Sequence, residues 1–179
     1  MIGSLSAAAA VLLAVSGLAK LRSPAPAAAM ITTLLPATRR HRSLWTVAVR
    51  AGGTVEVTVG VLVVAVGGRL PAVLLGACYL VFTAVALRLA SRAQDTSCGC
   101  FGRAASPVGV AHVALDVVCL AVAVIAVMRP VPTGAGLFDH GAVMSATACG
   151  QVVLLAWLGY LAITALPALA SARRLEAAQ

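Results

Sequence analysis

Five stretches of this sequence are each long and apolar enough to cross a lipid bilayer, and this feature leaves few possible folds. They cover residues 1–19, 43–67, 70–87, 107–128 and 144–166. A helix needs about 20 residues to cross the hydrocarbon core, and it satisfies its backbone hydrogen bonds internally. We therefore predict an all-α fold, a polytopic integral membrane helical bundle with five spans.

The composition excludes a water-soluble fold. Hydrophobic residues make up 61% of the chain and charged residues only 10%, which is more apolar than the surface of a soluble domain of 179 residues tolerates. The net charge of +8 does not indicate nucleic-acid binding, because the basic residues lie at the ends of the apolar stretches and not in a stripe between aromatic residues. The predicted environment is the lipid bilayer, and the basic residues are interpreted as topology signals.

The segment after the first apolar stretch is basic and rich in proline. Lys20 and Arg22 follow the stretch, whereas a secretory signal peptide carries its positive charges in front, so we interpret the stretch as a retained span. Pro24, Pro26 and Pro36 enclose a segment that is too short to span. We expect that segment to lie along the interface or to dip back into the membrane.

The distribution of positive charge predicts the orientation. Five spans place the two chain ends on opposite sides, and 11 of the 13 Lys and Arg residues fall on one side, leaving Arg69 and Arg129 on the other. Positive residues accumulate on the cytoplasmic side of membrane proteins. We therefore predict a multi-pass protein of the cell membrane with its N-terminus outside and with the loop of residues 88–106 and the C-terminus in the cytoplasm. The residues on the predicted cytoplasmic side are Lys20, Arg22, Arg39, Arg40, Arg42, Arg50, Arg88, Arg92, Arg103, Arg173 and Arg174.

Cys98, Gly99 and Cys100 are the residues of the polar loop that most clearly indicate chemistry. A disulfide between cysteines two positions apart closes a very small ring, and the glycine supplies the backbone freedom that closure needs. Such a bridge is strained and exchanges readily with another thiol. Arg103 and nearby basic residues favour a thiolate. We therefore predict thiol–disulfide redox chemistry at Cys98 and Cys100.

Two other interpretations of these cysteines remain open. They could be incidental loop residues, although packing gives little reason for two cysteines around a glycine in this loop. They could also bind a metal together with His112 and Asp116, which would make four ligands. Because the spacing matches no compact zinc motif, we predict no metal site.

Ionisable residues inside the predicted spans indicate a polar pocket on the same side as the loop. Glu56 costs about 2.5–3.5 kcal/mol to insert and needs a partner; Lys20 is nearest by depth and Arg50 is next. Glu56 is either a proton acceptor or electrostatic anchor for the redox loop, or half of a structural ion pair between the first two spans. His112 and Asp116 lie four positions apart on one helical face, which suits proton exchange beside a thiol or a hydrogen bond between helices.

The remaining cysteines lie within apolar stretches. Cys119 continues the face of His112 and Asp116, and Cys78 has a similar depth on the neighbouring span, so the two cysteines form a candidate second redox pair. The alternative is that both simply pack as small apolar residues. Cys149 lies near the opposite membrane face, and we expect it to be inert. Close approach of the second span to a neighbour is expected at Gly52, Gly53 and Gly60.

These motifs together resemble a known membrane protein family. Residues 16–21 (Ser-Gly-Leu-Ala-Lys-Leu) close the first span, Glu56 lies in the second, and Cys98-Gly99-Cys100-Phe101-Gly102 precedes the fourth. The pattern resembles the MauE family of methylamine-utilisation membrane proteins, within the broader DoxX-like group, over about residues 5–128. The resemblance implies a four-helix membrane core within residues 1–140. Residues 141–179 then add a fifth transmembrane helix and a short cytoplasmic tail.

The resemblance also implies electron transfer or disulfide formation that supports maturation of a disulfide-rich dehydrogenase subunit with a thioredoxin-like partner. Cys98 and Cys100 carry the family motif directly, whereas Lys20 and Glu56 match it less specifically. Maturation of an exported protein is easiest with the cysteines outside, but the charge distribution puts them inside. An inward-facing pair could instead exchange with a cytoplasmic thioredoxin-like donor and pass electrons across the membrane.

The sequence therefore predicts a membrane thiol–disulfide carrier, with oxidoreductase activity as a candidate. Its expected partners are the lipid bilayer and a thioredoxin-like protein or disulfide-containing client; the sequence assigns no cofactor, and a quinone remains a candidate electron acceptor. The alternative is a non-catalytic assembly factor or metal-binding scaffold that holds a partner through the same loop. The candidate catalytic residues are Cys98, Cys100, His112, Asp116 and Glu56, and the supporting residues are Lys20, Gly99, Phe101, Gly102 and Arg103.

Overall fold

The structure is a computed structural model that describes residues 2–35, 42–91, 110–129 and 142–165. Within these ranges the chain forms helices and no strand, which confirms the all-α prediction. Five of the helices are long and apolar enough to cross a membrane. In chain order the helices are α1 (Ile2–Arg22), α2 (Ala25–Leu34), α3 (Arg42–Ala65), α4 (Arg69–Ala90), α5 (Val110–Met128) and α6 (Ala142–Thr164).

The helix bounds follow local signals in the sequence. The basic residues Lys20 and Arg22 lie in the last turn of α1, where positive charge complements the helix dipole. The segment enclosed by prolines forms α2, a helix of 10 residues, and Pro26 fits into its first turn, where a missing N–H costs little. Gly67 and Gly68 have positive φ angles and form the tight turn between α3 and α4.

Helices α1 and α3 run antiparallel and approach each other closely at glycines. A Cβ atom added to Gly53 would lie 2.8 Å from the carbonyl oxygen of Gly17, and one added to Gly60 would lie 2.7 Å from that of Ala10. The predicted close approach is thus confirmed at Gly53 and Gly60. It is wrong at Gly52, where an added Cβ would meet nothing within 4 Å. Gly52 is one residue from Gly53, so it points about 100° away around the helix.

The main core lies between α1, α3, α4 and α5 and contains many small side chains. Leu13 and Leu75 are the largest side chains that are completely buried in the described part of the chain. The hydroxyl of Tyr79 on α4 donates a hydrogen bond of 2.8 Å to the carbonyl oxygen of Ala9 on α1. The other buried residues of this cluster are Ala10, Val59, Val63, Cys119 and Ala123.

The short helix α2 marks one end of the bundle. Ala27 and Ala28 pack against Val49 near the start of α3, and Leu89 near the end of α4 packs against neighbouring α2 side chains. This end, called the α2 end below, therefore holds the C-terminal ends of α1 and α4 and the start of α3. Since α5 packs antiparallel to α4, with Gly76 against Ala123, the start of α5 lies there too. The described residues on either side of positions 92–109, Ser91 and Val110, therefore both lie at the α2 end.

Helix α6 packs beside α1 and runs parallel to it. Near the start of α1, the hydroxyl of Ser4 donates to the side-chain oxygen of Gln151, which lies in the first half of α6, at 3.3 Å. Further along, Gly159 faces Leu12 and Leu115, and an added Cβ would lie 2.9 Å from Leu12. The fifth span predicted from the sequence is thus a helix packed on the core.

Candidate functional site

The most unusual feature inside the bundle is a buried ion pair between two membrane-spanning helices. The ammonium group of Lys20 on α1 bonds to the Oε1 atom of Glu56 on α3, and each side chain is only 9% exposed. The ammonium group also donates to the hydroxyl of Ser16 at 3.2 Å. It lies 4.4 Å from the centre of the Phe82 ring, a cation–π distance. Lys20 is therefore held from three sides.

The direction of the Lys20 side chain follows from helix geometry. Side chains in a helix lean toward its N-terminus, so Lys20 points back over Ser16, four residues earlier, and into the bundle. A lysine near a helix end commonly extends toward water. Here the opposite direction places the charge beside Glu56, and the predicted pairing of Glu56 with Lys20 is confirmed. The alternative partner, Arg50, is exposed.

The glycine contact between α1 and α3 brings Glu56 within reach of Lys20. Gly17 and Gly53 let the two backbones approach, and the Cβ of Glu56 lies one turn from Gly53, against Gly17. A larger residue at either glycine would separate the helices and increase the distance between the Glu56 carboxylate and the Lys20 ammonium group. The second carboxylate oxygen of Glu56 is buried and accepts no hydrogen bond from the described residues.

A second pair of polar groups lies on α5. His112 and Asp116 are both 5% exposed and lie on the same face as Cys119, as predicted. The Nε2 atom of His112 is 3.9 Å from the Oδ2 atom of Asp116. That separation is longer than a hydrogen bond, and Oδ2 is buried without a hydrogen-bond partner among the described residues. Asp116 therefore offers an uncommitted carboxyl oxygen to the interior.

These groups occupy similar depths in the bundle. With 1.5 Å per residue, Asp116 lies about 9 Å from the first described residue of α5, and Ser16 lies about 9 Å from the end of α1. The Lys20 ammonium group, beside Ser16, is close enough to Asp116 for an electrostatic interaction across the bundle. We call Ser16, Lys20, Glu56, His112 and Asp116 the polar layer.

The two cysteines of the predicted second pair lie in the same core cluster. Cys119 is buried within it and Cys78 is half-buried against it, and both are free thiols. Cys149 on α6 is exposed and free. The tertiary structure thus brings Cys78 and Cys119 to the same core cluster, and a redox role for them stays a prediction.

The predicted redox motif lies outside the described residues. Cys98, Gly99, Cys100 and the following residues Phe101, Gly102 and Arg103 all belong to the segment that connects α4 to α5. Within the described ranges, no group of three or more His, Cys, Asp or Glu side chains is arranged to hold a metal ion. A metal site built on His112 and Asp116 would therefore need further ligands from outside the described residues.

Sequence reasoning missed two aromatic residues of the site. Phe82 contacts the Lys20 ammonium group, and Tyr79 ties α4 to α1. Their rings meet edge to face with centres 5.9 Å apart. The available signal was their spacing, because they are the only aromatic residues of α4 and lie three positions apart on one helical face.

Comparison with known proteins identifies one relationship. A family model described as methylamine utilisation protein MauE matches residues 1–129, which contain α1 to α5 and the connecting segments. No curated protein and no solved structure matches the chain. The matched region includes every residue of the polar layer and ends before α6.

Proposed function

The chain belongs to the MauE family, and we propose that it is a membrane thiol–disulfide electron carrier that supports oxidative maturation of a partner protein. The observation that carries the proposal is the buried polar layer on the side of the α2 end. Charged and ionisable groups are expensive inside a membrane and are typically retained for function. Here they lie below the end of the bundle to which the segment with Cys98 and Cys100 is attached.

The proposed chemistry is two-electron exchange. A partner thiolate attacks the Cys98–Cys100 disulfide and forms a mixed disulfide, which the second partner thiolate resolves. The partner then holds a disulfide, and Cys98 and Cys100 have gained two electrons and two protons as thiols. Reoxidation of Cys98 and Cys100 passes the two electrons on to an acceptor, for which a membrane quinone and a thioredoxin-like disulfide are the candidate classes. Running the exchange in reverse reduces the partner.

In this scheme the polar layer has two roles: it exchanges protons with the thiols, and its ion pair holds the neighbouring helices in place. His112 lies two residues from the first described residue of α5, and Asp116 lies one turn further into the bundle. Both side chains are ionisable and close to each other, so they suit proton movement to and from thiolates at the α2 end. Lys20 and Glu56 anchor the neighbouring helices beside them. Cys78 and Cys119 are candidates for a relay deeper in the core.

The decisive test is a redox titration of the purified protein. Samples equilibrated in thiol–disulfide buffers are trapped with a mass-adding alkylating reagent, and the number of free thiols is read by mass. We expect two thiols to appear together in one reversible two-electron step. That step should be absent in Cys98→Ser and Cys100→Ser, because neither variant can close the ring, and intact in Cys149→Ser, since Cys149 is an exposed free cysteine on α6.

The alternative function gives the opposite titration. A non-catalytic assembly factor or metal-binding scaffold needs the loop only to hold a partner or an ion, so no reversible couple would appear in the unmodified protein. If double replacement of Cys98 and Cys100 by serine also preserved the maturation of the partner in cells, the carrier proposal would be wrong and the scaffold would be supported.

The orientation of the carrier is a separate prediction. The exposed basic residues Arg22 and Arg88 lie at the α2 end, whereas Arg69 starts α4 at the other end, which supports a cytoplasmic α2 end under the positive-inside rule. We expect Cys98 and Cys100 to resist a membrane-impermeant maleimide in intact cells and to react after the cells are opened. If Cys98 and Cys100 react in intact cells as fully as in opened cells, the α2 end lies outside and the predicted orientation is wrong.

A further inference from the structure

A groove on the lipid-facing surface lies between α2 and α4. It has a volume of about 370 Å³, within the range of about 300–1,000 Å³ found for ligand pockets. Its apolar wall includes Met30 and Leu34 from α2 and Val81 and Val85 from α4. Val81 is exposed, so the groove is accessible from the membrane.

One residue of the groove is charged. Arg88 lines the groove and is an exposed residue in the last turn of α4, at the α2 end. In the part of the chain that the structure describes, the acidic side chains are Glu56 and Asp116, which contact Lys20 and His112 respectively. Both are buried in the polar layer, so neither neutralises Arg88.

A second groove provides an internal comparison. It lies between α4 and α5, has a volume of about 330 Å³ and is lined by apolar residues and glycine, without a charged side chain. The two grooves therefore share one wall helix and a similar size. They differ in that only the groove between α2 and α4 combines an apolar surface with a cation.

We propose that the groove between α2 and α4 binds an anionic phospholipid, with an acyl chain against its apolar wall and the phosphate on Arg88. A guanidinium group binds phosphate oxygens through two parallel hydrogen bonds. Arg88 lies at one end of the helix, where a headgroup lies, and Val81 lies about 10 Å further into the bilayer along α4. The occupant is thus an amphiphile with the charge distribution of a membrane lipid.

The electrostatic setting supports an anionic headgroup. Basic residues near a membrane surface attract acidic lipids, each contributing about a fivefold preference. Arg22 ends α1 at the same end of the bundle. The lipid site is independent of the cysteine chemistry proposed above, because none of its lining residues belongs to the polar layer.

The test measures which lipid stays bound. The full chain is reconstituted in bilayer discs of equimolar phosphatidylglycerol and phosphatidylcholine with identical acyl chains, extracted in mild detergent, and analysed by native mass spectrometry. We expect one retained phospholipid per chain, with phosphatidylglycerol favoured about fivefold over phosphatidylcholine. Arg88→Gln should remove the preference, whereas Arg69→Gln should keep it, because Arg69 is an exposed arginine at the other end of α4.

A second pair of variants tests the groove and not the charge. Ala84 lines the groove between α2 and α4 and is exposed, so Ala84→Trp should fill the groove and abolish retention of both lipids. Ala77→Trp fills the comparison groove and should leave retention unchanged. Equal binding of the two lipids by the unaltered protein, or an unchanged preference in Arg88→Gln, would overturn the proposal. Retention by Ala84→Trp, or a groove occupied by a second copy of the chain in place of lipid, would overturn it as well.

Discussion

Replacing Glu56 with leucine is expected to lower the free energy of unfolding by about 3–5 kcal/mol. The reason is the buried partner: the Lys20 ammonium group would keep its hydrogen bond to Ser16 and its contact with Phe82 but would lose its counter-charge. An uncompensated charge in the interior of a membrane bundle is costly. The measurement is unfolding of the purified protein in micelles by a denaturing detergent, followed by circular dichroism.

The double variant Lys20→Met with Glu56→Leu separates the ion pair from its two members. Since replacing both charges removes the desolvation cost together with the attraction, we expect the double variant to recover most of the stability lost by either single variant. Additive losses would contradict the model of a mutually compensating pair. This comparison requires that the two single variants and the double variant retain the helix content of the unaltered chain.

The double variant also distinguishes the two interpretations of Glu56. A structural ion pair predicts that a stable Lys20→Met and Glu56→Leu protein keeps the rate of thiol–disulfide exchange. If Glu56 is instead a proton acceptor or electrostatic anchor for the redox loop, the double variant should fold but exchange thiols and disulfides slowly. Each interpretation has a structural basis, because Lys20 and Glu56 bridge α1 and α3 and also lie in the same layer as Asp116.

Replacing Gly53 with valine is expected to lower the free energy of unfolding by about 1–3 kcal/mol more than the neighbouring change Gly52→Val does. At Gly53 even the first added carbon would lie 2.8 Å from the backbone oxygen of Gly17, and backbone cannot rotate away as a side chain can. The same unfolding assay in micelles measures the difference.

The matched control uses alanine at adjacent positions. Gly53→Ala should destabilise the protein, whereas Gly52→Ala should be neutral or stabilise it by up to about 1 kcal/mol, because Gly52 is exposed and alanine favours the helix. Equal effects of the two alanine substitutions would mean that α1 and α3 do not approach each other as described. Loss of the Lys20–Glu56 contact should accompany the Gly53 variants, since Glu56 packs against Gly17.

Several properties of the chain followed from local sequence. The five spans were predictable because hydrocarbon requires about 20 apolar residues in a helix, a condition that each stretch meets on its own. Depth along a helix is also local, since every residue adds 1.5 Å, and for that reason the pairing of Glu56 with Lys20 was predictable from their positions. The motif residues 16–21, Glu56 and Cys98 to Gly102 led to the family that the comparison over residues 1–129 identifies.

The rotation of each helix about its own axis depends on how the helices pack together. Uniformly apolar helices carry little periodic signal about which face meets protein and which meets lipid. The sequence therefore did not distinguish Gly53, which contacts α1, from Gly52, which faces open space. For the same reason it did not indicate Phe82 beneath Lys20, or Arg88 at the edge of a groove. Spans, depths and motifs come from residues close together in the chain, whereas these contacts depend on how distant helices pack.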